Sequence, residues 1–180
     1  LAASGDTPAL DGQGTSSNSY KLATPEALAW FMVKVKSTPN SSATIMRDIS
    51  LVGTKATGSA DDYVEAGTTS EEALLWPMIG SYYGGGTFDG GGHTVSGVRV
   101  NRTSSYTGFF GNAYNATIKN LTLADGSITS TGSATGGIVG ISYAKQPGGN
   151  LLIENCTSAL TVKGASIVAG ILGGGESRGI

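Results

Sequence analysis

The side chains best suited to chemistry gather around one glycine-rich stretch. His93, the single histidine, follows Asp89 across Gly90-Gly91-Gly92. A turn that brought the imidazole and carboxylate together would make an acid–base pair. The simpler reading is that Asp89 caps the bend and His93 bonds locally. The glycine and aspartate run at 84–92 is similar to calcium-binding glycine/aspartate repeats, but those recur many times and this run occurs once. No metal or cofactor is assigned to it.

The other acids worth weighing are Asp48, Asp61, Asp62, Glu65, Asp125 and Glu154. Glycoside hydrolysis needs two carboxylates converging on one cleft. Here Glu154 and Lys119 fall at equivalent places in two similar phrases, so acid meets base, and no catalytic residue is assigned. Cys156 aligns with Val98 and Leu121 and reads as a small buried hydrophobe. An activated thiol wants a neighbouring cation, and Glu154 supplies the opposite charge. Among the aromatics Trp30, Trp76, Tyr82, Tyr83, Tyr106 and Tyr114, the Tyr82-Tyr83 pair beside three glycines is the best exposed candidate for a sugar contact, and structural packing is the simpler reading. Asn40, Asn101, Asn115, Asn120 and Asn155 each begin an N-x-S/T sequon. Asn120 and Asn155 are better read as turn residues whose side chains stack in a ladder.

Composition bounds the function classes. The chain has 180 residues, 29 glycines and 13% charged residues, with a net charge of −2. Abundant glycine implies many tight turns, and the near-neutral surface gives no reason to expect nucleic acid or an anionic membrane as a partner. Serine, threonine and asparagine carry the polarity, as is common in exported bacterial proteins. One cysteine excludes an intramolecular disulfide and a cysteine-based zinc site. No apolar run approaches the ~18 residues of a membrane span, so no membrane insertion is expected.

The elements that must position these residues show clear punctuation. Residues 1–19 have no periodicity and read as a flexible leader. Thr24-Pro25-Glu26 is a helix start, with a hydroxyl cap, a proline at the first helical position and an early acid. Leu28, Phe31, Met32 and Val35 then repeat at the spacing of one apolar face, predicting an amphipathic helix over about 25–36. Ala43 to Leu51 reads as one strand, 52–70 as loop, and 71–75 as a short helical turn.

Downstream, the tetrads Gly108-Phe109-Phe110-Gly111, Gly137-Ile138-Val139-Gly140 and Gly170-Ile171-Leu172-Gly173 recur at intervals of 29 and 33 residues. Such a period implies stacked repeats. Strand-like phrases precede them, aligning Val95 with Ile118 and Ile153, Val98 with Leu121 and Cys156, and Val100 with Leu123 and Ser158. Gly97, Asn120 and Asn155 fall between the first two columns, where a left-handed bend is expected. The expected organisation is a leader over 1–19, a cap with first coils over 20–94, and repeats over 95–180. The helix is expected to cover the first coil, where exposed strand edges invite aggregation.

These phrases resemble bacterial surface proteins carrying GLUG repeats. The resemblance runs through Tyr20-Lys21-Leu22-Ala23-Thr24 with Leu28, Asp48-Ile49-Ser50-Leu51, Trp76-Pro77-Met78-Ile79-Gly80, Gly86-Thr87-Phe88-Asp89-Gly90-Gly91-Gly92-His93-Thr94-Val95-Ser96-Gly97, and the three tetrads. It covers about nine-tenths of the chain. It implies an all-β fold, a right-handed parallel β-helix-like solenoid, with the helix as an N-terminal cap. It also implies a secreted or cell-surface location and a non-catalytic role in adhesion or as a stalk. The partner would be a host or bacterial surface protein or glycan. Related repeats accompany IgA-specific metallopeptidases, so the second reading is an ancillary N-terminal domain of a secreted protease or carbohydrate-active enzyme. The family shares no catalytic residues, so none is carried over.

Overall fold

A computed structural model describes residues 11–51, 54–57, 63–66, 79–82, 85–143 and 149–176. The chain is mostly β-strand with few helices, and its sheets are dominated by parallel pairs. It opens with β1 (Tyr20–Leu22), α1 (Pro25–Ser37), β2 (Ala43–Ile45) and β3 (Ile49–Ser50). A hairpin pairs β4 (Thr54–Thr57) antiparallel with β5 (Tyr63–Ala66). One set of strands follows: β6 (Ile79–Tyr82), β7 (Thr87–Asp89), β8 (Thr94–Ser96) and β9 (Arg99–Arg102). The second set is β10 (Phe110–Ala113), β11 (Ala116–Lys119), β12 (Thr122–Ala124), β13 (Ser127–Ser130) and β14 (Ser133–Gly136). The third is β15 (Val139–Tyr143), β16 (Leu151–Glu154), β17 (Thr157–Ser158), β18 (Thr161–Lys163) and β19 (Ser166–Ala169), after which β20 (Leu172–Glu176) begins again.

Apart from the β1–β2 and β4–β5 pairs, each strand pairs with its counterpart in the next set rather than with its neighbour in sequence. The sheets run β1-β2-β7-β11-β16, β6-β10-β15-β20, β3-β8-β12-β17, β9-β13-β18 and β14-β19. Phe110 pairs with Val139, and Val139 with Leu172, so the three tetrads stack at their own sequence spacing. Their glycines permit this approach: a Cβ on Gly108 would lie 2.6 Å from the Gly140 nitrogen. Phe109, Phe110, Ile138 and Val139 are buried in one continuous core with Phe88, Ile118, Leu121, Leu123 and Ile128.

All three expected columns shift in their first member, and Val98 and Gly97 fall between the pairs Ser96–Ala124 and Arg99–Ser127, opposite Gly126 and Asp125 and not opposite Leu121 and Asn120. Ile118 pairs with Ile153 as expected, but its partner on the other side is Phe88. Val95 pairs with Leu123, and Val100 with Ile128. The cause is the corner between β7 and β8. Four residues, 90–93, join Asp89 to Thr94 where only 120 and 121 join their partners Lys119 and Thr122. The longer corner makes the next phrase along look like the match. The ordered pairing also reaches back to β6, β2 and β3, before the expected start of the repeats at 95.

The helix forms for the reasons its sequence gives. Thr24 Oγ1 accepts the Ala27 N–H at 3.1 Å, Pro25 occupies the first turn, and the Thr38 N–H closes the last turn on Lys34 O at 3.0 Å. Leu28, Phe31, Met32 and Val35 are all fully buried. Phe31 meets Phe88 and Tyr82 with ring centroids 5.7 and 6.3 Å apart.

Elsewhere the structure departs from expectation. The strand expected across Ala43–Leu51 is broken at exposed Met46, Arg47 and Asp48, where the chain turns from the β2 sheet to the β3 sheet. The expected loop at 52–70 contains the β4–β5 hairpin, whose Thr, Val and Tyr residues favour strand. Within the expected leader, residues 11–19 make backbone bonds to the strands: Lys21 N–H donates to Asp11 O at 2.9 Å and Ser42 N–H to Gly14 O at 2.7 Å. Left-handed Gly12 and Gly14 allow those bonds without side-chain periodicity. Residues 1–10 and the helical turn expected at 71–75 lie outside the described residues.

Phe31→Ala should destabilise the chain by about 3–5 kcal/mol in urea unfolding, the cost of emptying a buried ring site. Met46→Ala, at an exposed corner, should shift stability by less than about 0.5 kcal/mol. Equal effects would contradict the packing assigned to α1.

Candidate functional site

The polar residues converge at the corner where β7, β11 and β16 end. Parallel register stacks Asp89, Lys119 and Glu154 in one column, giving an acid, a base and an acid on successive strands. Lys119 Nζ lies 3.4 Å from Asp89 Oδ2. One residue further on, Asn120 and Asn155 both adopt left-handed backbone, with φ of 52° and 49°. Their short amide side chains tolerate this conformation.

These side chains form a ladder. Asn120 Nδ2 donates to Asp89 Oδ1 at 3.0 Å, and Asn155 Nδ2 donates to Asn120 Oδ1 at 2.9 Å. The Gly91 N–H donates to the same Asp89 oxygen at 2.9 Å, so Asp89 also caps the bend, as its sequence position suggests. Burial alone would push the Asp89 carboxyl up. The bonds from Asn120 and Gly91 and the Lys119 ammonium outweigh it and hold the group below its usual range.

His93 does not pair with Asp89. Its Nδ1 lies 3.4 Å from Asp48 Oδ1, and that oxygen also accepts the Thr94 N–H at 2.9 Å. The histidine thus fastens the β7–β8 corner to the turn before β3. In the sequence Asp48 is one acid among several. Its link to His93 follows from the sheet order and not from spacing.

Tyr82 is fully buried, which rules it out as the exposed sugar contact and agrees with the packing reading. Its hydroxyl donates to Ser41 O at 3.0 Å, its ring stacks 5.3 Å from Phe110, and burial pushes the phenol pKa well up. Inward orientation on β6 places this ring in the core. Tyr83 and Trp76 lie outside the described residues. Tyr106 is the large aromatic left exposed among the described residues.

Cys156 is partly buried. Its Sγ lies 3.2 Å from Glu154 O and 3.6 Å from Ile118 O, and burial pushes the thiol up. Among the described residues no group of three or more His, Cys, Asp or Glu side chains is arranged to hold a metal ion. Also among them, no helix is long and apolar enough to cross a membrane.

Another left-handed column has no signal in its residue types. Tyr106, Ala134 and Ile167 have φ of 63°, 56° and 49°, and their neighbours pair in register. Such values are costly for a β-branched residue like Ile167. Nothing in these residue types announces the turn, which is imposed by the strands on either side.

No family model, curated protein or solved structure matches the chain. The resemblance to GLUG-repeat proteins therefore rests on the residues quoted for it.

Two measurements test the ladder. An acid whose folded-state pKa is depressed adds stability above its unfolded value of about 3.9 and loses it as pH falls through the folded value. Stability should therefore drop as pH falls below about 4, and Asp89→Asn should flatten that slope in urea melts taken across the acid range. An unchanged slope would show that Asp89 does not carry it. Separately, Asn120→Ala should cost about 2–3 kcal/mol, and Asn120→Gly about 1 kcal/mol less, because glycine loses the amide but not the left-handed backbone. Equal losses would mean that the backbone conformation contributes nothing.

Proposed function

We propose that this chain is a non-catalytic segment of a secreted or cell-surface bacterial protein, serving as a structural stalk with an adhesive surface. In this reading the strand sets are coils of a right-handed parallel β-helix-like solenoid, and α1 is the cap over its first coil. The observation that carries the reading is the register. Like residues sit on like residues across successive sets, at the same intervals as the glycine tetrads. Such an array buries its apolar side chains only by stacking, and each contributes about 1.5–3 kcal/mol.

The polar corner supports the same reading. Asp89 is engaged by Lys119, Asn120 and Gly91, a set of partners that serves the stack. The exposed faces, rich in serine and threonine, are the surface a host or bacterial protein or glycan would meet. The resemblance to GLUG-repeat proteins points to the same class of partner and to the same location.

The test is an array of glycans and extracellular proteins, probed with the purified chain and followed by product analysis. Retention on a defined surface ligand with no chemical change is expected. Turnover of any arrayed glycan would sink the non-catalytic reading.

A further inference from the structure

Five strands, β16, β17, β18, β19 and β20, each form the outer member of their sheet, and all five come from residues 151–176. Their side chains are less covered than those of the preceding set. Ile118 and Ile128 are fully buried, whereas their register partners Ile153 and Val162 are only partly so. Leu151, Ile153, Cys156, Leu160, Ile171 and Leu172 make a half-covered apolar rim packed against the core. Among the described residues nothing pairs with the outer edges of these strands.

The ladder at the polar corner specifies what would fit there. An ionised carboxylate only accepts hydrogen bonds. Asp89 therefore makes Asn120 present its Nδ2, which leaves Asn120 Oδ1 for the Nδ2 of Asn155. The ladder thus has a direction fixed at one end, and among the described residues its other end is Asn155 Oδ1, an acceptor. One residue away Glu154 is exposed, in a column where the acid Asp89 is already matched by the base Lys119.

We propose that the β16–β20 face is a docking surface for a further coil of the β11 type, added in parallel register. That coil carries a lysine or arginine opposite Glu154 and, next to it, an asparagine that donates to Asn155. This rests on the stacked-coil reading above, but not on adhesion or on the nature of any surface ligand. Main-chain bonds along the edges supply affinity, and the two polar columns supply the choice of partner. A second copy is disfavoured. Two-fold pairing through this face would set the winding of one outer set against that of its copy, so parallel register could not hold around the whole face.

The experiment uses the whole chain and synthetic peptides spanning residues 115–130 of this sequence, which hold Lys119 and Asn120. Fluorescence anisotropy should show binding of the native peptide, and binding about tenfold weaker for the peptide carrying Lys119→Glu and Asn120→Asp. The chain variant Glu154→Lys, altered at an exposed position, should favour a peptide carrying Lys119→Glu alone over the native peptide. Equal binding of the native and doubly altered peptides, binding of neither, or an unchanged preference in the Glu154→Lys chain would each overturn the proposal. So would a dimer at neutral pH in sedimentation that excess native peptide does not dissociate. None of these outcomes bears on the glycan and protein array, so the two readings fail separately.

Discussion

The structure depends on where its backbone hydrogen bonds go. Strands of two to five residues are too short to form a stable sheet with their neighbours in sequence, and most find their partners about thirty residues away. Every set therefore supplies both the pairing and the apolar floor for the next. Parallel pairing also forces like residues together, so a column is either wholly acceptable or a fault repeated along the stack. Interior columns meet this demand with Phe88, Ile118 and Ile153, or with Val100, Ile128 and Val162. The outward column at the polar corner meets it by alternating charge through Asp89, Lys119 and Glu154.

The same demand explains the aromatic cluster that includes Phe31 of the helix. Here the strand columns meet Phe31 of α1, whose side chains cannot follow strand register. Phe31, Tyr82, Phe88, Phe109 and Phe110 fill that junction with edge-on and stacked ring contacts. Tyr82 reaches past the cluster to Ser41 O, tying β6 to the segment that follows the helix. Its buried hydroxyl thereby finds the partner that a buried phenol needs.

Much of this was legible in the residues, and the misreadings have identifiable causes. The helix carried its own signals in Thr24, Pro25 and the Leu28–Val35 spacing. The tetrads announced their stacking through their period, and Asn120 and Asn155 announced left-handed turns through their residue type. Spacing misled where a corner changed length, which displaced Val95, Gly97, Val98 and Val100 together. Residue type left Tyr82 undecided, because an aromatic beside glycines looks exposed until its strand faces are assigned. The link between His93 and Asp48, and the left-handed backbone of Ala134 and Ile167, arise from contacts between distant segments. Local sequence holds no record of them.

The unequal corner at 90–93 has a wider meaning. Two extra residues are absorbed there, and both flanking strands, β7 and β8, still keep register with β11 and β12. Corner length and strand register are therefore separate variables in this architecture. Lengthening a corner changes the outline of the molecule while the interior columns stay in place. A chain built this way can vary its exterior by insertion and deletion, a mode of change that most packed cores penalise. Its surface is thus free to diversify faster than its scaffold.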